Sequence, residues 1–193
     1  MLAAVILSGG ASRRMGSPKA LLSYQGRPFL EHLLAVVHHP KIGLRRVVLG
    51  AHAAPIAKEV NLASDEIVIN EQWQEGQLSS IQAALRSFPT ETDGIILLLI
   101  DHPLISSVLV GELIDSFYSS GKSIVLPVYD GRRGHPVIFS SALYQELADA
   151  PLETGARSVV WAHADDVQVV QTNEEGCVLN LNDPDTLRRA LGV

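Results

Sequence analysis

Residues Leu2 to Lys19 constrain this chain more than any other stretch. Leu2–Leu7 is wholly apolar, which suits a strand buried on both faces of a parallel sheet. Ser8–Lys19 then holds three glycines (Gly9, Gly10, Gly16), the cations Arg13, Arg14 and Lys19, and Pro18. Glycines let backbone approach a ligand and let successive N–H groups point into one concavity. The cations supply the charge that a triphosphate needs. A tight turn with a solvated basic rim is the plainer alternative. Three glycines and three cations directly behind a buried strand favour an anion-holding loop.

Helices and strands alternate after this loop. Helical spacing runs over 28–38, with Pro28 in the first turn. A strand is expected at Leu44–Leu49, a short helix at about 55–60 and a strand at Glu66–Asn70. A polar loop over 71–76 carries Trp73, which either lines a site or packs in the core. A helix follows at Gln77–Ser87. Gly94–Ile100 is the most apolar run and the best candidate for a central strand. Helices at Ser107–Tyr118, 141–147, 155–163 and 184–191 follow. Extended runs are expected at 123–129, 136–139, 167–171 and 177–181. The order predicts one α/β domain over 1–193: three αβα layers around a Rossmann-like, mostly parallel sheet.

Composition narrows the function. A net charge of −6 argues against broad binding to nucleic acid or anionic membrane, so the basic residues of the first loop are a local feature. Cys177 is the only cysteine, which disfavours a thiolate zinc site and fits a reducing compartment. The apolar start lacks a basic leader, and Gly94–Ile100 is too short to cross a bilayer. The expectation is a cytoplasmic protein.

Ligands of open α/β sheets sit beyond the carboxyl ends of the strands. The residues in those places are Ser8, Gly9 and Gly10; Gly50, Ala51 and His52; Asn70; and Asp101, His102 and Pro103. If these strands are neighbours, the loop and Asp101 share one crevice. A carboxylate behind six apolar residues needs compensation, and Mg²⁺ (or Mn²⁺) shared with phosphate oxygens supplies it. A helix-capping or turn Asp is the alternative reading. His102 reads as a packing or hydrogen-bonding histidine. The loop fits neither Gly-x-x-x-x-Gly-Lys-[Ser/Thr] nor Gly-x-Gly-x-x-Gly, which removes P-loop ATPases and weakens a dinucleotide oxidoreductase.

Leu7–Lys19 resembles the signature Leu-Ala-[Ala/Gly]-Gly-x-Ser-x-Arg-Met-Gly-x-x-Lys of nucleotidyltransferases related to the MobA/MocA molybdenum-cofactor enzymes. Gly76-Gln-Leu-Ser-Ser80, Asp101-His-Pro103, Gly134-His-Pro-Val-Ile-Phe139 and Asn180-Leu-Asn-Asp-Pro184 resemble further segments in that family's order. The resemblance covers essentially the whole chain. It implies a nucleotide-diphospho-sugar-transferase type of fold. It also implies a reaction in which a phosphate-bearing acceptor attacks the α-phosphate of an NTP and pyrophosphate leaves.

The same resemblance implies roles. Leu7, Ser8, Gly9, Gly10, Ser12, Arg13, Gly16, Asn70, Ser79 and Ser80 would bind nucleotide. Lys19, Arg14 and Asp101 would be catalytic, and Asp101 with Asn180 or Asn182 would hold Mg²⁺. Gly134, His135 and Pro136 would shape the acceptor pocket. The acceptor implied is a molybdopterin-type cofactor, with a molybdoenzyme or its maturation factor as a further partner. A sugar- or polyol-phosphate acceptor, and a non-catalytic binding protein of the same fold, are the alternatives. Gly9 leaves room for a purine and suggests GTP. The Gly76–Ser80 and Gly134–Phe139 segments resemble the cytidylyltransferase branch, and they put CTP first and GTP second.

Overall fold

The first strand, β1 (Leu2–Ser8), is buried along its whole length. Leu2, Ala4 and Ile6 enter one apolar core, and Ala3, Val5 and Leu7 enter another on the opposite face. Two buried faces require helices on both sides. The computed structural model, which describes residues 1–89 and 91–191, supplies them. Residues 90, 192 and 193 of the expected domain lie outside the described residues.

In chain order, β1 is followed by β2 (Ser23–Tyr24), β3 (Arg27–Pro28), α1 (Phe29–Val36), β4 (Ile42–Leu49), α2 (Ala53–Glu59), β5 (Ile67–Ile69), α3 (Gln77–Arg86) and β6 (Gly94–Leu99). Then come α4 (Ser107–Ser120), β7 (Ile124–Tyr129), β8 (Arg132–Arg133), β9 (Val137–Ser140), α5 (Tyr144–Asp149), α6 (Arg157–Ala162), β10 (Val167–Gln171) and α7 (Pro184–Leu191). The main sheet runs β10-β7-β9-β6-β1-β4-β5, with β8 paired to β7. The pairs β6–β1, β1–β4, β4–β5 and β7–β10 are parallel. β9 is antiparallel to both of its neighbours.

Leu30 and Leu33 of α1 and Leu109 and Leu113 of α4 cover one face of the sheet. Leu78 and Ile81 of α3, Leu147 of α5 and Val159 of α6 cover the other. Each such side chain contributes about 1.5–3 kcal/mol by leaving water. The expected αβα layering and mostly parallel sheet are therefore present.

Local boundaries differ where short-range chemistry overrides periodicity. Pro28 ends the small β2–β3 hairpin instead of opening the helix, which starts at Phe29. The expected helix over 141–147 divides into a 3-10 turn at Ser141–Leu143 and α5. The expected extended piece at 177–181 is not a strand: Glu175–Cys177 is a 3-10 turn. The Leu181 N–H then donates to the Asp101 carbonyl at 2.8 Å instead of joining the sheet.

Candidate active site

The order β6-β1-β4-β5 makes the four strands with polar carboxyl ends into adjacent, parallel neighbours. The carboxyl ends of two of them, Leu7–Gly10 after β1 and Leu99–Asp101 after β6, border a cavity of about 450 Å³, within the size range of small-molecule sites. Leu7–Gly10, Ser12–Arg14, Lys19, Ser80, Asp101, Asn180 and Asn182 all line it. Trp73, Gly76 and Gln77 complete the wall, so Trp73 belongs to the site and not to the core.

The loop is closed by its own polar atoms. Ser12 sits in the left-handed region at φ 50. Its hydroxyl accepts from the Lys19 N–H at 3.1 Å, and its carbonyl accepts from the Met15 N–H at 2.9 Å. The His52 ring bonds the Ala11 carbonyl at 3.0 Å, and the Ala51 N–H donates to the Gly9 carbonyl at 3.1 Å. Gly50 permits this approach: a Cβ there would lie 2.5 Å from the Gly9 oxygen and 2.6 Å from the Trp73 Cβ.

Lys19 is the centre of the cavity's charge. Its ammonium donates to the Asn182 side-chain oxygen and lies 3.7 Å from the Asp101 carboxylate. Burial holds the Lys19 pKa below the usual lysine value; Asp101 opposes that shift and Arg14 adds to it. The bond between Leu181 and Asp101 explains why Asn180 and Asn182 flank the carboxylate, 80 residues downstream in the chain. Asp101, Asn180 and Asn182 all line the cavity, and their side-chain oxygens are of the kind that a hard divalent cation takes. Gly76, the residue before α3, also lines the cavity and has no side chain to cap the helix's first-turn N–H groups. Open N–H groups at a helix start favour an anion.

Three expected nucleotide contacts fall elsewhere. Gly16 does not border the cavity, and neither do Asn70 and Ser79, which are buried behind it. The Asn70 amide donates to the hydroxyls of Ser79 and Ser80 at 2.8 and 3.0 Å, and its oxygen accepts from the Gln72 N–H at 3.0 Å. Ser79 donates onward to the carbonyls of Gly76 and Gln72. These two residues fix the loop that carries Trp73, and Ser80 alone of the three faces the cavity. The purine argument for Gly9 also changes. A Cβ on Gly9 would meet the Ser80 hydroxyl at 3.2 Å and the Trp73 Cβ at 3.6 Å, whereas one on Gly10 would meet open space. The room at Gly9 is taken by the protein itself.

The expected acceptor residues adjoin a different hollow. Gly134 and His135 line a second cavity, and Pro136 is buried and lines neither. They reach this edge because β9 runs backwards: Val137, at its start, pairs with Leu97 near the end of β6. The His135 N–H donates to the Cys177 carbonyl at 2.8 Å. Its ring lies 5.2 Å from that of His102, whose Nε2 is 4.0 Å from Asp101. Burial pushes His135 down to about 4, with the His102 charge adding to the effect. Burial also lowers His102, against the pull of Asp101.

A family profile described as the MobA-like NTP transferase domain matches residues 4–167. A nicotine blue oxidoreductase from Paenarthrobacter nicotinovorans is 33% identical over 161 residues, 79% of this chain and 78% of the relative. A molybdenum cofactor guanylyltransferase from Histophilus somni (strain 129Pt) is 31% identical over 163 residues, 82% of this chain and 79% of the relative. Among solved structures, a Mycobacterium sp. strain JC1 homologue of Mycobacterium tuberculosis Rv0371c superposes with a TM-score of 0.84 at 26% identity. The match covers 99% of this chain and 95% of that one.

Proposed function

The chain belongs to the MobA-like NTP transferase family, and from that premise we propose that it moves a nucleoside monophosphate from GTP to the phosphate of a molybdopterin-type acceptor, releasing pyrophosphate. One observation carries the reading: Lys19 stands between Asp101 and Asn182 on the floor of a glycine-rich, cationic loop cavity. GTP is placed ahead of CTP because several relatives of about 30% identity carry guanylyltransferase names. CTP is the second candidate, supported by the Gly76–Ser80 and Gly134–Phe139 segments. A sugar- or polyol-phosphate acceptor is the alternative, and a molybdoenzyme or its maturation factor is the natural recipient of the product.

In the reaction, an acceptor phosphate oxygen forms a bond to the α-phosphorus as the bond from that phosphorus to the β-phosphate oxygen breaks. The electron pair of the broken bond leaves with pyrophosphate. Such a transfer depends mainly on positioning and on neutralising charge. Loop N–H groups and Arg14 hold the β- and γ-phosphates. Lys19 turns from Asp101 towards the α-phosphate, and Gly134 and His135 border the acceptor's approach. Asp101, with Asn180 or Asn182, would hold Mg²⁺ (or Mn²⁺), which supplies charge neutralisation across the phosphates. Among the described residues, no group of three or more His, Cys, Asp or Glu is placed to hold a metal. One carboxylate with an asparagine oxygen would suit Mg²⁺, which is commonly held by one or two protein carboxylates together with substrate phosphates.

The oxidoreductase name of one relative favours a second reading, an oxidation–reduction of a small molecule. The absence of Gly-x-Gly-x-x-Gly places it second. Thermal unfolding with each of the four NTPs and Mg²⁺, with NADH and NADPH as the other arm, separates the readings. A ligand at 100 times its Kd stabilises by about 2.7 kcal/mol. A rise with GTP, together with acceptor-dependent pyrophosphate release, is the expected result. Stabilisation by NADH or NADPH alone refutes nucleotidyl transfer, and a rise with CTP alone refutes the choice of base.

A further inference from the structure

Asn180 and Asn182 belong to a segment that starts far from Asp101. It leaves β10 at the outer edge of the sheet, with β7 and β9 between that strand and β6. Residues 172–183 then run back along the loop Asp101–Ser106, which joins β6 to α4. Three contacts fix the pairing. The Leu181 N–H donates to the Asp101 carbonyl at 2.8 Å. Gly176 passes so close to Leu104 that a Cβ on it would lie 2.4 Å from the Leu104 oxygen. The Glu174 carboxylate accepts from the Ser106 N–H at 3.0 Å and from the Ser106 hydroxyl. The loop's order 101, 104, 106 thus meets 181, 176, 174, so the two segments lie side by side and antiparallel.

Among the described residues, Glu174 supplies the one carboxylate that hydrogen-bonds across these two segments. Its partner is well chosen. Ser106 caps α4, and its hydroxyl also accepts from the Leu109 N–H at 3.1 Å. A carboxylate is favoured at the positive end of a helix, and bonds to an ionised acceptor are the stronger kind. The anchor is firm, because Leu109, Val110, Leu113 and Ile114 of α4 are fully buried. We infer that Glu174 is a positioning residue for the divalent cation: by tying its segment to the start of α4, it sets the spacing between Asp101 and the asparagines Asn180 and Asn182. This inference rests on the cation reading given under Proposed function. Mg²⁺ tolerates little departure from its preferred distances and angles, so a small drift of the asparagines weakens its hold. The glycine-rich loop and Arg14, which hold the phosphates, do not depend on that spacing. Cys177 and Leu181 are fully buried, so the segment stays docked without Glu174 and only its alignment with the loop loosens.

The test compares nucleotide binding with and without the cation. The chain has two tryptophans, and Trp73 lines the nucleotide cavity. In a Trp161→Phe background, quenching of Trp73 by GTP or CTP gives a Kd in excess chelator and another in saturating Mn²⁺. The ratio of the two is the gain due to the cation, which includes its hold on Asp101 and the asparagines. Glu174→Ala should cut that gain about tenfold, the usual cost of losing a group that orients a metal ligand, and leave the Kd in chelator within about twofold of wild type. Glu174→Gln, which keeps one acceptor oxygen, should fall between. Gly176→Ala should reproduce the loss by another route, because its methyl group pushes the segment off Leu104. A merely structural role would weaken both Kd values together. That result, or folded Glu174→Ala and Gly176→Ala proteins with the full Mn²⁺ gain, overturns the inference. Should Glu174→Ala lose its circular dichroism spectrum, Glu174→Gln and Gly176→Ala are judged by the same ratio. Asp101→Asn should abolish the gain. A gain that survives it refutes the cation site itself and the role of Glu174 with it, and failure of every nucleotide to quench Trp73 counts against nucleotidyl transfer.

Discussion

Lowering the pH should unfold this protein through the histidine that walls the second cavity. His135 is held at about 4, against an ordinary value of 6.5, by burial and then by the His102 charge, with Asp101 pulling the other way. The folded form therefore keeps His135 neutral between pH 6.5 and 4, while the unfolded chain takes up a proton. The state that binds more protons gains as pH falls, so stability is intact above pH 6.5 and declines below it. The loss reaches about 2 kcal/mol at pH 5 and about 3 kcal/mol at pH 4 for a shift of this size. The carboxylates of Asp93, Asp115, Asp166 and Asp183 are lowered from 3.8, so their contributions disappear only below that window. Urea unfolding at half-unit steps from pH 7 to 4 measures the effect. With a slope of about 2 kcal/mol/M, the midpoint falls by about 1 M between pH 7 and 5. His135→Phe should remove most of the decline. His102 is depressed in the same direction, so a residual slope remains until it too is replaced. A ring proton of His135 titrating near 6.5, or a His135→Phe protein with the full wild-type slope, refutes the buried-wall geometry.

Lys19→Ala and Asp101→Ala should each lower turnover by about 10² or more, as losses of charge stabilisation in the transition state do; near-normal turnover in steady-state assays of pyrophosphate release removes that residue from the mechanism. Pyrophosphate release should stop in excess chelator and return with Mg²⁺ or Mn²⁺. Gly50→Ala should destabilise the fold by about 1–3 kcal/mol in denaturant titration, because its methyl group would overlap the Gly9 oxygen and Trp73. At the alkaline end, burial raises Tyr144 to about 12 from 10. The folded form then resists its ionisation, and stability should fall as pH rises from 10 to 12. Tyr144→Phe should flatten that limb of the curve.

The sequence by itself determined the layers and the loop. Leu2–Leu7 and Gly94–Ile100 are apolar without alternation, and only a strand covered on both faces buries such runs. The glycines and cations of Ser8–Lys19 single out that loop, which lines the main cavity, because backbone freedom and charge are properties of residue type. Asp101 was legible for the same reason, since a carboxylate behind a buried run needs a partner.

What the sequence left open depends on contacts between distant segments. Nothing in the run Val137–Ser140 says that it enters the sheet backwards between β6 and β7. That reversal carries Gly134 and His135 to the site's edge and sets His135 against His102. Asn70 and Ser79 carry the polarity of ligand-binding residues, yet their hydrogen bonds are spent on each other and on the Trp73 loop. Gly9 looks like space for a base until Ser80 and Trp73 are seen to fill it. Glu174 shows no pattern along the chain, because it meets Ser106, 68 residues away, only in the folded form. Residue type fixes what a group can do chemically; only tertiary packing decides which partner it meets first, and so whether that capacity is left for a ligand.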